Sequence, residues 1–368
     1  MSREVKTAVM YGAGNIGRGF IGQVFHDSGY EVVFIDVNQD LISAINEHNL
    51  YTQLIVDGDD VTQRGITGVR AVDGSDPEAV AREIAGCDIM AVSVGAAVLP
   101  RIASVIADGV RRRTQPLNIL VCENLAHAPD VLRRYVSEYL SDTSVLSRVG
   151  FIGTTIGRMV PVVSQQQRDE NPAIIAVEPF CTLPVDADAF VEPVPVLQHT
   201  VFCSPFAFEE GKKLYIHNMG HALAAYFGFL EGYTYIWQVM DDKRIREHVQ
   251  DAMNATSEAL ARKYNEDRVA LTVYVNDLLA RFGNKGLGDT VARVGADPMR
   301  KLAPGDRLMG AIDLCVEQNV DHSTITSGIA AALKFDVPGD PSVCQMKEQL
   351  KSKGVEAFLR DYCGLSDT

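Results

Sequence analysis

The first 36 residues contain the feature that most constrains the fold. An apolar stretch at 6–12 predicts a short buried strand, and the sequence GAGNIG, which begins at Gly12, follows at once. Apolar residues at helical spacing come next, and a second apolar stretch at 31–35 ends in Asp36. This order of strand, glycine turn, helix, strand and acid predicts the dinucleotide-binding unit of a doubly wound α/β fold.

Each glycine of this motif has a distinct physical task. Gly12 permits a tight turn, Gly14 lets the backbone approach a pyrophosphate, and Gly17 allows the helix to pack closely on the strand. The helix N-terminus then faces the phosphates. Asp36 can accept hydrogen bonds from both ribose hydroxyls of an adenosine and would repel the 2′-phosphate of NADP. The motif therefore predicts NAD as the cofactor, bound by Gly12, Gly14, Asn15, Ile16, Gly17 and Asp36.

The composition is that of an ordinary globular protein, and it excludes several classes of function. The chain has 368 residues, of which 46% are hydrophobic and 22% charged, enough for two domains. A formal net charge of −14 argues against a nucleic-acid or anionic-membrane partner. Neither a signal peptide nor a membrane span is indicated. Seven scattered cysteines without a CxxC pattern predict reduced thiols in a cytoplasmic protein, with no metal site.

The rest of the first half continues to alternate helix and strand. A helix at about 38–48 leads to a predicted hairpin, whose turn is the DGDD sequence at 57–60. A helix near 77–85 and buried strands at 88–94, at 118–122 and within 149–180 follow. Ligands in open α/β sheets lie beyond the carboxyl ends of strands, so Ser93, Gly95 and Asn124 are expected beside the cofactor. Asn124 is equally compatible with capping a loop.

The second half has a different, helical pattern. Prolines between 179 and 195 mark the transition, and we place the domain boundary near residue 200. The sequence thus predicts an α/β protein with a Rossmann-like doubly wound sheet in residues 1–200 and a mostly α-helical domain in 201–368. The predicted helices of the second domain are 205–230, 241–264, 266–282, 304–318, 322–334 and 341–361.

The stretch KKLYIHNMGHALAAYFG, residues 212–228, is predicted to be a helix with three polar residues on one broad face. At about 100° per residue, Asn218 lies roughly 140° from Lys213, with His221 roughly 80° round between them. A desolvated lysine can lose its proton, an asparagine can donate to an oxyanion, and a histidine can orient either. The set predicts proton transfer at a carbinol oxygen, although spacing alone more often reflects a surface lysine, a helix-face asparagine and a buried histidine.

A loop rich in glycine and cations spans 281–301. Its cations include Lys285, Arg293, Arg300 and Lys301. Beside a polyol site, such a loop would suit a phosphate or carboxylate tail. A solvated surface loop is the alternative, and composition alone slightly favours it.

Together these motifs resemble the polyol-specific long-chain dehydrogenases, and the Lys-x4-Asn-x2-His pattern that begins at Lys213 is the catalytic signature of that family. The resemblance covers nearly the whole chain. Its other segments are GAGNIGRGFIG (12–22), CEN (122–124), RMVP (158–161), VEPF (177–180) and RVGADPMRKLAPGDRL (293–308).

The resemblance implies a role for each matched side chain. Lys213 is the expected general acid/base, Asn218 and Asn124 polarise the carbonyl oxygen, and His221 positions the substrate or the lysine. In the family, the arginine and lysine that match Arg293 and Lys301 reach substrate hydroxyls, and no zinc is needed. The predicted substrate contacts are Arg158, Arg293, Arg300 and Lys301.

The expected activity is NAD-dependent interconversion of a sugar-alcohol phosphate and its ketose phosphate, with mannitol 1-phosphate and fructose 6-phosphate as the expected pair. Gly157 departs from the family, which usually has a substrate-contacting aspartate there, and so bears on the identity of the substrate. One alternative is a hexuronate or unphosphorylated ketose reductase on the same scaffold. Another, of a different class, is a non-catalytic NAD-binding redox sensor.

Overall fold

The computed structural model describes residues 6–365, and the chain divides into two compact units, with the division after Phe206. All strands of the described residues lie in the first unit. They are β1 (Thr7–Tyr11), β2 (Glu31–Asp36), β3 (Leu50–Asp57), β4 (Asp60–Thr67), β5 (Val69–Asp73), β6 (Ile89–Val92), β7 (Leu117–Val121), β8 (Val149–Gly153), β9 (Ile174–Val177), β10 (Leu183–Asp186) and β11 (Thr200–Cys203).

The α-helices of both units are numbered in chain order. The first seven are α1 (Gly22–Asp27), α2 (Gln39–His48), α3 (Pro77–Gly86), α4 (Leu99–Arg111), α5 (Ala128–Ser137), α6 (Gln165–Glu170) and α7 (Phe206–Gly211). Those that follow are α8 (Met219–Leu230), α9 (Ile236–Asp241), α10 (Lys243–Tyr264), α11 (Arg268–Phe282), α12 (Val291–Gly295), α13 (Pro298–Lys301), α14 (Met309–Glu317), α15 (Ser323–Ala332), α16 (Pro341–Lys353) and α17 (Val355–Asp361).

The first unit is built on a six-stranded parallel sheet with the strand order β5-β2-β1-β6-β7-β8. The order reverses between β1 and β6, and this switch point is where an open α/β sheet binds its ligand. Successive residues of β1 point to opposite faces. Ala8 and Met10 therefore join the core that covers one face, and Val9 and Tyr11 join the core of the other face. The predicted doubly wound fold is confirmed.

Two smaller sheets complete the first unit. β3 and β4 form an antiparallel hairpin in which Asp57 pairs with Asp60, which confirms the predicted turn. β9 pairs in parallel with β3, and β10 pairs in parallel with β11. The strands predicted within 149–180 therefore separate, because β8 joins the six-stranded sheet and β9 joins the hairpin.

Helix α8 is the centre of the second unit. Leu223, Ala224, Ala225 and Tyr226 are fully buried in succession, so the helix is apolar on every side and must be surrounded by others. It packs against α9, α10, α12 and α15. A Cβ at Gly220 would lie 2.5 Å from Met253 Sδ, so the side chain of Met253 on α10 packs directly against this glycine.

Two of the predicted helices differ from the structure. The helix predicted at 205–230 contains a π-helical segment, Lys212–Asn218, between α7 and α8. The last helix, predicted at 341–361, is broken at Gly354, whose φ of +82° is incompatible with helix continuation. Between residues 6 and 365, no helix has both the length and the apolar character needed to cross a membrane.

Candidate active site

The glycine motif forms a tight loop after β1. Gly12 has a φ of +97°, and a Cβ there would overlap the carbonyl oxygen of Ser93 at the end of β6. A Cβ at Gly17 would overlap the carbonyl oxygen of Gly12. At Gly14, by contrast, a Cβ would meet no atom within 4 Å. The first and third glycines therefore serve close packing, and the second leaves an open approach to the backbone.

The peptide groups of Ala13 hold this loop in place. Ala13 N donates to Asp36 Oδ2 at 2.8 Å, and Nε of the buried Arg18 donates to Ala13 O at 2.6 Å. Asp36 Oδ1 accepts from the backbone N–H groups of Val37 at 2.8 Å and Asn38 at 3.0 Å. Asp36 therefore has two tasks. It holds the glycine loop through Ala13, and it places a carboxylate at the end of β2, where the adenosine ribose of a dinucleotide binds in this fold.

These features fit a dinucleotide. The open backbone at Gly14 provides the approach that a pyrophosphate requires, and Asn15 beside it is exposed. Asp36 presents a partly exposed carboxylate next to the same loop. The residues predicted to hold NAD therefore lie together at the switch point of the sheet.

The ends of β6 and β7 are joined by a residue that the sequence did not single out. Glu123 Oε1 accepts from Val94 N at 2.7 Å and from Gly95 N at 3.0 Å. Burial raises the pKa of Glu123, and the two N–H groups oppose that shift. Ser93 lies beside Gly12, and Asn124 is exposed in the loop after β7. Ser93, Gly95 and Asn124 thus follow neighbouring strands, as expected.

Arg158 differs from the expectation that it contacts substrate. Only 4% of it is exposed. Its Nε and Nη2 donate to Glu178 O at 3.0 and 2.8 Å, and its Nη1 donates to Gly19 O at 2.9 Å and Gln23 Oε1 at 2.8 Å. The guanidinium is therefore engaged inside the first unit, where it ties the segment around Glu178 to the helical turn after the glycine loop. We withdraw it as a substrate contact.

Lys213 and Asn218 lie on the π-helical segment and not on a regular α-helix, and His221 follows on α8. Met219 N donates to Leu214 O, five residues back, which is the hydrogen bond of a π-helix. A turn closed by this bond holds more residues than an α-turn, so Asn218 lies closer in angle to Lys213 than the roughly 140° of an α-helix. His221 follows Asn218 by three residues, the spacing of neighbours on one face of an α-helix. The π segment thus brings the three side chains closer in angle than an α-helix would.

His221 lies in an aromatic and positively charged environment. Its ring stacks on Phe282, with the centroids 4.6 Å apart and the planes 8° from parallel. Burial lowers the pKa of His221 to about 3, and the charges of Arg293 and Lys213 act in the same direction. Burial and Lys213 also place the pKa of the neighbouring His217 well below its usual value. Both imidazoles are therefore neutral at pH 7.

A buried carboxylate contacts this histidine from another segment. Asp289 Oδ2 lies 3.4 Å from His221 Nε2, and Asp289 Oδ1 pairs with Arg293. Arg307 is also buried, and its Nε donates to Asp306 Oδ1 at 2.8 Å. The positive charge of Arg307 lowers the pKa of both His217 and His221. The predicted Lys213, His221 and Arg293 thus share one electrostatic environment with two residues that were not predicted.

The two adjacent cations of α13 differ in their surroundings. Arg300 is 45% exposed, and its Nε donates to Asp297 Oδ2 at 2.8 Å. Lys301 is buried, and its Nζ donates to Ala296 O. Burial lowers the pKa of Lys301 to about 7, with further contributions from Arg307 and Arg300. The positive charge of Lys301 also contributes to the lowered pKa of His221.

Glu123, Asp289 and Arg307 are the site residues that sequence reasoning missed. Arg307 lies inside the 293–308 segment that carried the resemblance, but no role was attached to it. Asp289 and Arg293 have the i,i+4 spacing of a helical ion pair, which was the available signal. In the described part of the chain, no group of three or more His, Cys, Asp or Glu side chains is arranged to hold a metal ion, and all seven cysteines are free.

Comparisons with known proteins identify relatives over both units. Residues 6–199 match the model of the mannitol dehydrogenase Rossmann domain, and residues 206–361 match that of the mannitol dehydrogenase C-terminal domain. The mannitol-1-phosphate 5-dehydrogenase of Brevibacillus brevis is 37% identical over 366 residues, which cover 97% of this chain and 93% of that protein. The enzyme of the same name from Bacillus subtilis is 35% identical over 365 residues, 97% of this chain and 95% of that protein.

Two solved structures have the same fold. A D-sorbitol dehydrogenase in substrate-free form aligns with a TM-score of 0.74 at 18% identity, over 90% of this chain and 80% of that chain. The mannitol 2-dehydrogenase of Pseudomonas fluorescens, in a ternary complex with NAD and D-mannitol, also aligns with a TM-score of 0.74, at 16% identity, over 95% of this chain and 85% of that chain.

Proposed function

Because the chain belongs to the mannitol dehydrogenase family, we propose that it is an NAD-dependent dehydrogenase that interconverts mannitol 1-phosphate and fructose 6-phosphate. Relatives at 35–37% identity that bear the name mannitol-1-phosphate 5-dehydrogenase favour this substrate pair. The observation that carries the proposal is the environment of His221. A neutral imidazole that contacts the carboxylate of Asp289, and whose pKa is lowered by burial and by the positive charges of the surrounding lysines and arginines, suits a reaction that moves one proton on an anionic sugar.

The first unit binds the cofactor. When bound, NAD supplies the hydride acceptor in oxidation and, as NADH, the hydride donor in reduction. The loop from Gly12 to Gly17 binds the pyrophosphate, and Asp36 accepts hydrogen bonds from the adenosine ribose. Glu123 holds the backbone of Val94 and Gly95 at the end of β6.

Lys213 moves the proton. In oxidation its neutral amine accepts the proton of the substrate hydroxyl, and in reduction its ammonium form returns a proton to the carbonyl oxygen. Asn218 donates a hydrogen bond to the oxygen as negative charge develops on it, and Asn124 is the proposed second donor. His221, being neutral, can orient either the substrate or the lysine without adding charge.

The cations of the second unit recognise the anionic substrate. Arg293 and Lys301 lie in the environment of His221 and are proposed to contact the sugar, whereas the more exposed Arg300 is proposed to contact the phosphate. Gly157 occupies the position at which the family usually has an aspartate, so this chain has no carboxylate there. A Cβ at Gly157 would lie 3.3 Å from Phe180 Cε1. The loss of a negative charge at this position agrees with a substrate that is itself negatively charged.

The deciding experiment compares three candidate substrates in one assay. NADH oxidation is followed with fructose 6-phosphate, fructose and fructuronate, each over a full range of concentrations. We expect the highest kcat/KM with fructose 6-phosphate. A higher kcat/KM with fructose or fructuronate would instead identify an unphosphorylated ketose or hexuronate reductase. NADH binding without turnover of any of the three would favour the redox sensor.

A further inference from the structure

The carboxylate of Asp289 joins two residues of the proposed catalytic unit that are distant in the chain. Its Oδ2 lies 3.4 Å from Nε2 of His221 on α8, and its Oδ1 pairs with Arg293 on α12. The Asp289 side chain is 8% exposed and that of His221 16%, so the contact between these two is largely shielded from water. A carboxylate in this position can orient both partners.

The backbone presents this carboxylate from a fixed position. Ile236 N donates to the carbonyl oxygen of Asp289 at 2.9 Å. The next residue, Thr290, forms an isolated antiparallel bridge with Tyr235 and caps α12 by accepting from Arg293 N at 3.2 Å. Asp289 is therefore anchored on both sides, although it lies between two helical segments.

The protonation state of His221 determines what this contact can be. A neutral imidazole has one N–H donor and one acceptor nitrogen. If Nε2 were the acceptor, its lone pair would face a carboxylate oxygen, and the two would repel each other. With the proton on Nε2, the carboxylate instead lies beside a polarised N–H group, which it attracts. Nε2 is buried and forms no hydrogen bond of normal geometry with any described residue, Asp289 included, so the nearby negative charge favours the protonated nitrogen.

The distance of 3.4 Å is longer than a usual N–H···O hydrogen bond. Hydrogen bonds of catalytic groups are often long without ligand and shorten when substrate binds. Phe282 stacks on the His221 ring and defines its plane. Asp289 Oδ2 lies 3.4 Å from Nε2, so its charge favours the tautomer with the proton on that nitrogen. Phe282 thus constrains the orientation of the His221 ring, and Asp289 constrains its tautomer.

We propose that Asp289 is a positioning residue that holds His221 as the Nε2–H tautomer and anchors Arg293. Nδ1 of His221 is then the acceptor of the ring, available to the ammonium of Lys213 or to a substrate hydroxyl. This inference rests on the proposed function for its consequences in catalysis. The tautomer itself is a property of the ligand-free protein and can be measured without substrate.

The first test is spectroscopic. Protein labelled with ¹⁵N at its eight histidines is examined at pH 7 by long-range ¹H–¹⁵N correlation, and the His221 signals are assigned with His221→Gln. We expect the Nε2–H pattern for His221 in the unmodified protein. In Asp289→Asn we expect a shift towards Nδ1–H or a mixture, because an amide does not favour one nitrogen as a carboxylate does.

The second test is kinetic. Asp289→Asn should lower kcat with fructose 6-phosphate roughly tenfold to a hundredfold, the usual scale for a misplaced catalytic group. Asp289→Glu retains the carboxylate and should recover part of both the kcat and the tautomer. Glu258→Gln is the matched control, because Glu258 is also a carboxylate that bridges two cations of the second unit, Arg262 and Arg268. It should leave the tautomer and kcat unchanged.

The outcomes separate this proposal from the proposed function. An Nδ1–H or doubly protonated His221 in the unmodified protein would overturn the role of Asp289, and so would an Asp289→Asn variant with unchanged tautomer and kcat. Absence of ketose phosphate turnover in the unmodified protein would overturn the function but leave the tautomer result intact. If Asp289→Asn does not fold, the proposal is still tested by the His221 tautomer of the unmodified protein and by the tautomer and kcat of Asp289→Glu.

Discussion

The glycine loop of the first unit and the Lys213 segment of the second both pass through a π-helical turn, yet the groups that they present differ in kind. Gly22 N donates to Gly17 O, and Met219 N donates to Leu214 O, each across five residues. The first turn follows a loop whose exposed groups are mainly backbone. The second carries a lysine and an asparagine and leads directly into α8 with its partly buried His221.

This difference determines how each region depends on its surroundings. A backbone N–H group has no protonation equilibrium, so the glycine loop needs only the correct conformation, which Gly12 and Gly17 impose. Side chains such as His221 and Lys301 depend on burial and on neighbouring charges, which lower their pKa values. Substitutions in the first region should therefore change cofactor affinity, and substitutions in the second should change kcat and its pH dependence.

The largest expected effect is that of Lys213→Ala. If Lys213 transfers the proton, kcat should fall in both directions on the order of 10² to 10⁴-fold, the usual contribution of a positioned acid or base. NADH affinity, measured by fluorescence, should change little, because the cofactor residues lie in the first unit. The rise of the oxidation rate with pH should lose the ionisation that belongs to the lysine.

Lys212→Ala is the matched control for Lys213. Lys212 lies in the same π turn, but its Nζ pairs with Glu209 at 2.6 Å and lies 5.0 Å from the ring centroid of Tyr274. The control should retain kcat, with at most a small decrease in melting temperature. A folded Lys213→Ala enzyme with normal turnover and an unchanged pH profile would refute proton transfer by this segment.

Much of the first unit could be predicted from sequence because its signals are local. Strand, glycine loop, helix and acid follow one another within 36 residues, and each has a position-specific steric reason. The fold class and the family resemblance are confirmed. The inward position of Arg158 was not predictable, because its acceptors include Gly19 O, which is remote in sequence.

The second unit was less predictable for two physical reasons. The π turn has no composition signal that separates it from an α-helix, so the angle between Lys213 and Asn218 was wrong. The contact of Asp289 with His221 joins distant segments, and no local pattern encodes it. The catalytic roles of Lys213, Asn218 and His221 remain predictions, and the experiments above and below test them.

The next largest effect is expected in the cofactor region. Asp36→Ala should weaken NAD binding roughly a hundredfold, because hydrogen bonds to a charged group contribute about 1.5–3 kcal/mol each. It should also reduce the discrimination against NADP. Asp73→Ala is the control, since Asp73 is the register partner of Asp36 on β5 and holds the turn at Ser75. Equal kcat/KM for NAD and NADP in the unmodified protein would contradict this assignment.

A smaller effect is expected for Arg300→Ala. Arg300 is partly exposed and already paired with Asp297, so its contact with a phosphate should be worth only about tenfold in KM. The increase should be seen with fructose 6-phosphate and not with fructose. Arg262→Ala, which removes an arginine of similar exposure paired with Glu258, should change neither KM. If Arg300→Ala raised KM for fructose 6-phosphate and for fructose equally, the residue that contacts the phosphate would instead be sought at Lys285 or Arg307.

The smallest and most specific effect concerns the pH dependence due to Lys301. Burial, with Arg307 and Arg300, lowers its pKa to about 7, so the ammonium form is lost as the pH rises above that value. A phosphate monoester has its second pKa near 6 and is already a dianion there. If Lys301 contacts the anionic substrate, KM for fructose 6-phosphate should rise above pH 7, by at most about tenfold per pH unit. Lys301→Gln should raise KM at pH 6 and remove this slope. The same slope in Lys301→Gln would assign the ionisation to another group.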